Sequence, residues 1–399
     1  MVLRGKGKSF IIPVAIVLLL VAVVGVIATG CGGSTTTTTA VAPATTTTAA
    51  QATTTTAPAE STTTTASAPS TTGALSASLN GAGATFPQPV YVAWIGAFQS
   101  TQPGVKINYQ GVGSGAGITQ FTAQTLDFGA SDAFMKDTEI AAAEAARSGA
   151  KVLQIPTVFG SITLAYNLPE LKAPLKLDSD TLCNILQGKI TKWNDPAIAA
   201  LNAGVTLPTY GIQTVHRSDA SGTTNAFTSY LASVNGAWKT SPGVGKTVKW
   251  PNGVGGNGNA GVAALITQTK GAIGYVELAY ALSSKMTVAD MKNSAGSFIT
   301  PSLDSTTAAA DLSTFPADFN LLPVVSNSAN PKAYPIVTST YVLAYDKMPD
   351  AAKAAALRAF LTWALGPDGT AIAKGLGYAP LTPALATAAL TAVNAIGAS

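Results

Sequence analysis

The chain has 399 residues, of which 47% are apolar and 11% are charged, and its formal net charge at pH 7 is +4. This length allows one large domain or two smaller ones with a substantial core, and no basic cluster suited to nucleic acid occurs. The two cysteines, Cys31 and Cys183, lie in such different surroundings that we predict no disulfide between them. We therefore expect a globular protein that does not bind nucleic acid.

The first thirty residues have the pattern of a targeting segment. Three basic residues precede a nearly unbroken apolar run at 10–28, and small residues then lead to Cys31. This pattern resembles the lipobox of bacterial lipoproteins, in which the cysteine carries the lipid and becomes the mature N-terminus. Ala28 departs from the pattern, which prefers leucine there. We predict a signal peptide at 1–30 and lipidation of Cys31; because the apolar run is long, a plain signal peptide or an uncleaved anchor is the alternative.

Residues 31–78 are of low complexity. Runs of threonine alternate with alanine, proline and serine, and Glu60 is the only charged residue. Such a segment cannot bury enough apolar surface to fold. We predict a disordered tether that holds the following part of the chain near the membrane and outside the cytoplasm.

From about Leu79 the sequence alternates between strand and helix patterns. Apolar residues recur at helical spacing within 90–98 and 227–234. Strands are predicted at 105–109, 126–128, 152–155 and 162–166. This alternation predicts an α/β protein with mainly parallel sheets, in which ligands bind at strand C-termini beside helix N-termini.

Three loops have that placement: residues 83–87, 113–117 and 220–224. They are rich in glycine, serine and threonine, and the free N–H groups at a helix start favour an anion. Arg217 precedes the third loop and can hold two oxygens of one oxyanion. Serine, threonine and glycine at a helix start are also ordinary N-capping residues, but three such loops with an arginine favour an anion site.

The motifs of catalytic and metal sites are mostly missing from the sequence. His216 is the only histidine, so a Ser–His–Asp triad would depend on a residue that directly precedes Arg217. The chain has no histidine pair, no CxxC, no calcium loop and no P-loop sequence, and we expect neither a metal nor a cofactor. A phosphatase that uses a serine or an aspartate stays an alternative, as does a binding or signalling protein for a different oxyanion or a surface adhesion module.

Nine blocks follow one another along residues 79–383: GAGATFPQPVYVAW, NYQGVGSGAG, LDFGASDAF, GKITKWNDPAIAALN, RSDASGTTNAFTSYL, WPNGVGGNGNAGV, GAIGYVELAYA, YPIVTSTYVL and GLGYAPL. In this order they resemble the phosphate-binding lipoproteins of bacterial phosphate ABC transporters. The resemblance implies a type II periplasmic-binding-protein fold, in which two α/β lobes joined by crossover strands close over the ligand. Lobe I would comprise 79–157 plus 335–399, and lobe II 158–334, with crossovers near 159–166 and 334–340.

The resemblance also implies a phosphate site. The family motifs place its binding residues on Thr85, Phe86, Ser114, Asp132, Arg217, Ser221, Gly222 and Thr223, with Asp219 as an acid that pairs with the arginine. Gly115 stands where relatives often have serine, and we expect little consequence because Ser114 is retained. The expected role of Asp132 is selection: a carboxylate accepts a hydrogen bond from the proton that phosphate keeps near neutral pH, but repels the fully ionised oxygens of sulfate.

The implied function is that of a receptor and not of an enzyme. It would capture inorganic phosphate between the two lobes and deliver it to the permease and ATPase of a phosphate ABC transporter. We expect a monomer without a cofactor, anchored by a lipid at Cys31 to the outer face of the cell membrane. Cys183 matches no family site and is expected to be a small buried residue.

Overall fold

A mixed β-sheet of ten strands is the framework of the protein. The computed structural model describes residues 75–399, so the predicted signal segment, Cys31 and the tether up to residue 74 lie outside the described residues. In the described part of the chain the strands are β1 (Ala77–Gly83), β2 (Val105–Gly111), β3 (Phe128–Ser131), β4 (Val152–Tyr166), β5 (Lys176–Leu177), β6 (Gln213–Arg217), β7 (Val254–Gly256), β8 (Ala272–Glu277), β9 (Thr287–Val288), β10 (Asp290–Lys292), β11 (Phe298–Ile299), β12 (Val337–Tyr345), β13 (Lys347–Met348), β14 (Ala379–Pro380) and β15 (Gly397–Ala398). The helices are α1 (Gln88–Thr101), α2 (Ser114–Thr122), α3 (Asp137–Ala146), α4 (Ser179–Leu186), α5 (Pro196–Leu201), α6 (Gly222–Val234), α7 (Gly236–Thr240), α8 (Gly258–Gln268), α9 (Leu278–Ser283), α10 (Leu303–Ala309), α11 (Leu322–Val325), α12 (Ala351–Ala364), α13 (Pro367–Gly375) and α14 (Pro383–Asn394).

The sheet has two halves that share the long strand β4. Along the sheet the strand order is β2–β1–β3–β12–β4–β8–β6–β7. Strand β4 pairs with β12 over residues 152–161 and with β8 over residues 162–166. We call the part from β2 to residues 152–161 the first half-sheet, and the part from residues 162–166 to β7 the second half-sheet. The residue limits given above for the two lobes stay a prediction.

One correction concerns β4, which the sequence pattern divides into two strands at 152–155 and 162–166. The structure has one continuous strand of 15 residues, buried along nearly its whole length. Pro156 and Gly160 suggest a break, because proline lacks an N–H and glycine weakens a strand. A register shift in β12 between Thr340 and Tyr341 lies opposite this proline, and such a bulge allows the pairing to continue past it.

A second correction concerns strand direction, which we expected to be mainly parallel. Within the ten-stranded sheet, parallel pairing is confined to β2–β1–β3 in the first half-sheet and to β8–β6–β7 in the second. The central neighbours β3–β12, β12–β4 and β4–β8 are all antiparallel. The reason is topological: β4 and β12 carry the chain out and back between the two halves, so they must run in opposite directions.

The apolar patterns of the two predicted helices are confirmed. Helix α1 buries the five apolar residues that predicted it, Val90, Tyr91, Trp94, Ile95 and Phe98, and α6 buries Phe227 and Leu231 completely. The strand predicted at 126–128 is displaced, because β3 begins at Phe128 and uses the small residues that follow to pair on both sides.

Cys183 is fully buried in α4, as expected, and burial raises the pKa of its thiol to about 12. Among residues 75–399, no helix is both long enough and apolar enough to span a membrane.

Candidate functional site

The loops at the C-terminal ends of the parallel strands meet between the two half-sheets. The β1–α1 loop, the start of α2 and the end of β3 belong to the first half-sheet, while the β6–α6 and β7–α8 connections belong to the second. The predicted site residues converge there and are all buried, with the exposed fraction of no side chain among them above 6%: Thr85, Phe86, Ser114, Asp132, Arg217, Ser221 and Thr223, together with Gly222.

Arg217 and Asp219 form a two-pronged ion pair at the end of β6. The Arg217 Nε donates to Asp219 Oδ1 over 2.7 Å, and its Nη2 donates to Asp219 Oδ2. The Gly258 N–H also donates to Asp219 Oδ1 over 3.0 Å. Burial opposes ionisation of Asp219, but the hydrogen bonds and charge of Arg217 outweigh burial and lower the pKa of this carboxyl. The remaining guanidinium nitrogen, Nη1, faces Thr223 Oγ1 at 3.4 Å.

Asp132 lies at the end of β3 as a buried acceptor. Its two oxygens accept hydrogen bonds from Thr340 Oγ1 over 2.9 Å and from Thr223 Oγ1 over 3.1 Å. Burial raises the pKa of Asp132 to about 7, although these hydrogen bonds and the positive charge of Arg217 oppose that rise. The carboxyl group is therefore poised to exchange a proton near neutral pH.

The starts of α2 and α6 face each other across the site. Ser221 is the N-cap of α6, and its Oγ accepts from the Thr224 N–H over 3.1 Å, so the ordinary capping role that the sequence left open is present. A capping hydroxyl of this kind still has its own proton to donate. Ser114 Oγ accepts from the N–H groups of Gly222 over 3.0 Å and of Asp132 over 3.3 Å.

The loop with Thr85 and Phe86 is held by two tyrosines. The Thr85 carbonyl accepts from the Tyr280 hydroxyl over 2.6 Å, and the Phe86 carbonyl accepts from the Tyr378 hydroxyl over 2.7 Å. Gly160 of β4 leaves the room that the Phe86 ring occupies, because a Cβ there would lie 2.6 Å from the ring. Both carbonyls are thus engaged, which fixes the orientation of the loop.

Further contacts join the two half-sheets beside the site. The Gly115 N–H donates to the Ala220 carbonyl over 2.8 Å, and the Lys246 ammonium pairs with Glu139 of α3. Gly113 has a positive φ of 91°, and a Cβ there would lie 2.4 Å from Asp219 Oδ2, so only glycine allows the loops to approach this closely. These contacts hold the two half-sheets against each other in this structure.

Several residues that sequence reasoning did not single out also belong to this cluster. They are Thr340, Asn259, Tyr280, Glu277 and Tyr378. All of them lie within the nine sequence blocks. A signal that could have been used is the Asn257–Gly258–Asn259 segment, which begins α8 after a strand as the other three loops begin their helices.

His216 lies outside the cluster and has a structural role. Its ring stacks on that of Trp250 with 4.9 Å between centroids, and its Nδ1 lies 3.0 Å from the Arg217 carbonyl. Burial lowers the pKa of this imidazole below its ordinary value. In the part of the chain that the structure describes, no group of three or more His, Cys, Asp or Glu side chains is arranged to hold a metal ion. The cluster is chemically an anion cradle with one guanidinium, several hydroxyl and N–H donors and a single carboxyl acceptor at its centre.

The known proteins that this chain resembles belong to one family. Residues 33–368 match the model of a PBP superfamily domain. The chain is 41% identical over 305 residues to the phosphate-binding protein PstS of Pasteurella multocida, an alignment that covers 76% of this chain and 86% of that protein. It is 38% identical over 325 residues to the phosphate-binding protein PstS 3 of Mycobacterium leprae, covering 80% and 87% of the two chains.

The fold is also found among solved structures. A phosphate-binding protein from Stenotrophomonas maltophilia superposes with a TM-score of 0.63 at 23% identity, covering 79% of this chain and 94% of that chain. This similarity supports the fold alone, and it agrees with the two-lobed architecture expected from the sequence blocks. By the extent and identity of its sequence matches, the chain belongs to the PstS family of phosphate-binding proteins within the PBP superfamily.

Proposed function

We propose that this chain binds inorganic phosphate between its two half-sheets and delivers it to the permease and ATPase of a phosphate ABC transporter. The observation that carries the proposal is the pairing of Asp132 and Arg217 in one buried cluster of donors. Arg217 offers positive charge and Nη1, while Asp132 offers an acceptor. An anion that is both negatively charged and protonated satisfies both groups, and phosphate near neutral pH is such an anion.

The proposed ligands are those implied by the family motifs. Hydroxyl groups would come from Thr85, Ser114, Ser221 and Thr223, backbone N–H groups from Phe86 and Gly222, the guanidinium from Arg217 and the acceptor from Asp132. The Thr223 hydroxyl donates to Asp132 in this structure, so it would redirect that proton to the anion. The Gly222 N–H donates to Ser114 Oγ in this structure, so phosphate would replace or share that hydrogen bond. The proposed lobes, 79–157 plus 335–399 and 158–334, would separate to admit the anion and close over it.

Calorimetric titration of the protein with phosphate, arsenate and sulfate tests the proposal. In mildly alkaline solution we expect tight binding of phosphate, weaker or similar binding of arsenate, and no detectable binding of sulfate. Asp132→Asn should bind sulfate, because an amide can donate to a fully ionised oxygen. Asp137→Asn, which changes an exposed carboxylate of α3 in the same way, is the matched control and should keep the rejection. Equal affinity of the wild type for sulfate, or no phosphate binding, would overturn the proposal.

We further propose that the protein is not an enzyme. Support comes from the position of His216, which stacks on Trp250 and not against Ser221 or Asp132. Incubation with p-nitrophenyl phosphate should give no turnover. A turnover that persists through purification and disappears in Ser221→Ala would favour the phosphatase alternative.

The membrane attachment is also a proposal. Residues 1–30 would be removed as a signal peptide and Cys31 would carry a lipid. The predicted tether at 31–78, shortened to 31–76 because Ala77 and Ser78 belong to β1, would attach a monomeric receptor to the outer face of the cell membrane. Cys31→Ser should abolish incorporation of labelled palmitate and release the protein from the membrane fraction. If the variant stays in the membrane with residues 1–30 intact, the uncleaved anchor is correct.

A further inference from the structure

Asn259 is a fully buried side chain at the second position of α8. Its amide group contacts β8, the β1–α1 loop and the start of α6. No binding role was assigned to it above, yet it lies between Thr85 and Thr223, two of the proposed ligands. The contacts determine the orientation of its carboxamide and thereby the direction of every hydrogen bond around it.

The carboxamide has only one orientation that satisfies its neighbours. The backbone N–H of Glu277 lies 3.0 Å from Asn259 Oδ1, and a backbone N–H can only donate. The oxygen must therefore face β8. The amide nitrogen then faces the hydroxyl oxygens of Thr85 at 3.0 Å and Thr223 at 3.4 Å, and its two protons suffice for both.

Thr85 Oγ1 receives two hydrogen bonds from Asn259. One comes from the backbone N–H of this residue over 3.1 Å and the other from its Nδ2 over 3.0 Å. A hydroxyl oxygen has two lone pairs and one proton, so both acceptor positions are filled. Within residues 75–399 no protein oxygen accepts the remaining Thr85 proton. This proton is the one group of the hydroxyl left for a ligand.

The Thr223 hydroxyl differs from that of Thr85, because its proton already has an acceptor in the protein. Its single proton goes to Asp132 Oδ2, and its oxygen faces Arg217 Nη1 and Asn259 Nδ2. Donation thus runs in one direction, from the Glu277 N–H through Asn259 and Thr223 to Asp132. The chain of hydrogen bonds ends on the carboxyl group of Asp132.

We propose that Asn259 is a positioning residue that makes the Thr85 hydroxyl an obligate hydrogen-bond donor to the bound anion. This inference rests on the proposed function and deepens it. With Asp132 ionised, the ligand presents an unprotonated oxygen to Thr85 and a protonated oxygen to Asp132, which describes a tetrahedral anion that keeps at least one proton. Asn259 acts through Thr85 and Thr223 and does not itself need to touch the anion.

A double-mutant cycle measured by calorimetry with inorganic phosphate tests this role. Thr85→Val and Asn259→Ala should each weaken binding by roughly tenfold or more, the effect of one hydrogen bond to a charged group. In the Thr85→Val background, Asn259→Ala should cause a clearly smaller loss, because the hydroxyl it orients is gone. Equal losses in both backgrounds would mean that Asn259 is merely structural.

Two further variants keep the outcome decisive. Asn202→Ala removes another buried asparagine that bonds the backbone of β5. It is the matched control, and any effect it has on affinity should add independently to that of Thr85→Val.

If Asn259→Ala does not fold, Asn259→Asp retains an acceptor for the Glu277 N–H but offers Thr85 an acceptor in place of a donor. Its loss of affinity should again be smaller in the Thr85→Val background, and equal losses would overturn the inference.

The two proposals fail in different ways. A wild-type protein that does not bind phosphate contradicts the proposed function before any cycle is measured. A wild-type protein that binds phosphate while its cycle is additive contradicts only the role of Asn259.

Discussion

Asp132 combines burial, two hydroxyl donors and a neighbouring guanidinium. Its pKa of about 7 means that the free carboxyl gains a proton as pH falls through neutrality. The ionised form accepts a hydrogen bond from a protonated oxygen of the ligand, whereas the protonated form can itself donate to an unprotonated oxygen. The selectivity of the site should therefore depend on pH through this residue.

We predict that sulfate binding is undetectable in mildly alkaline solution and appears as pH falls below about 7. The reason is that a protonated Asp132 donates to sulfate instead of repelling it. Asp132→Asn should bind sulfate with an affinity that does not change over this range. Calorimetric titrations with sulfate at a series of pH values measure both curves, and pH-independent rejection by the wild type would contradict the prediction.

At the scale of elements, the start of α6 forms part of the contact between the two half-sheets. A Cβ at Gly222 would lie 2.5 Å from Ser114 Oγ and 2.7 Å from both the Ala133 backbone nitrogen and the Asp132 Cβ. Gly222 is not among the residues with positive φ, so its own backbone would accept alanine. The requirement for glycine here is close approach between elements and not local conformation.

Gly222→Ala should therefore fold normally but fail to close. We expect phosphate affinity to fall by about a hundredfold or more, since closure assembles ligands from both half-sheets. Small-angle scattering with phosphate should show no compaction of the variant. Gly96→Ala is the matched control: it lies in α1 with open space around its Cβ, and it should leave affinity unchanged while stabilising the helix by roughly 0.5–1 kcal/mol. Wild-type affinity in Gly222→Ala would show that closure does not need this contact.

At the scale of the whole molecule, the contacts of Tyr378 with Phe86 and Glu277 connect the C-terminal part of the chain to both half-sheets. The Tyr378 hydroxyl lies 2.7 Å from the Phe86 carbonyl oxygen and 2.8 Å from Glu277 Oε2. This hydroxyl has one proton, and the carbonyl can only accept it. Glu277 Oε2 also accepts from the Ala279 N–H over 2.8 Å, while its buried Oε1 has no hydrogen-bond partner among residues 75–399. Burial raises the pKa of Glu277 to about 8, with the charge of nearby Asp132 adding to the effect, which agrees with a neutral carboxyl.

Global stability should consequently fall with rising pH. A folded-state pKa raised above its ordinary value means that the stabilisation from Glu277 is complete below that ordinary value and is lost as pH rises through about 8. Asp132 contributes a loss of the same sign through about 7, and the other groups facing Glu277, Tyr280 and Tyr378, stay neutral in this range because burial raises their pKa values.

In Glu277→Gln, the loss of stability caused by ionisation of Glu277 should be absent, whereas the loss caused by ionisation of Asp132 should remain. Urea unfolding of the wild type and of Glu277→Gln at a series of pH values gives the free energy of unfolding of each protein. The difference between the two free energies should change over this pH range by an amount on the order of a few kcal/mol. Glu170→Gln, at an exposed glutamate paired with Lys270, is the control and should run parallel to the wild type above neutral pH. Parallel curves for Glu277→Gln would mean that Glu277 is ionised in the folded protein.

Much of the fold and of the cradle follows from local sequence patterns. Helical spacing predicts α1 and α6 because each must bury one apolar face, and glycine, serine and threonine at helix starts predict the loops around Thr85, Ser114 and Ser221. The residue types around Arg217 already indicate an anion and argue against catalysis. The extent of the sequence blocks identifies the family.

The tertiary structure alone decided how these groups are paired. Asp132 and Thr340 are 208 positions apart, and no local pattern tells which hydroxyl will face a buried carboxyl. The same holds for the continuity of β4, which depends on a bulge in its pairing with β12, and for Asn259, whose orientation is determined by a single N–H of β8. Sequence determines which groups can donate or accept, but the direction of each hydrogen bond depends on neighbours that only the folded chain brings together.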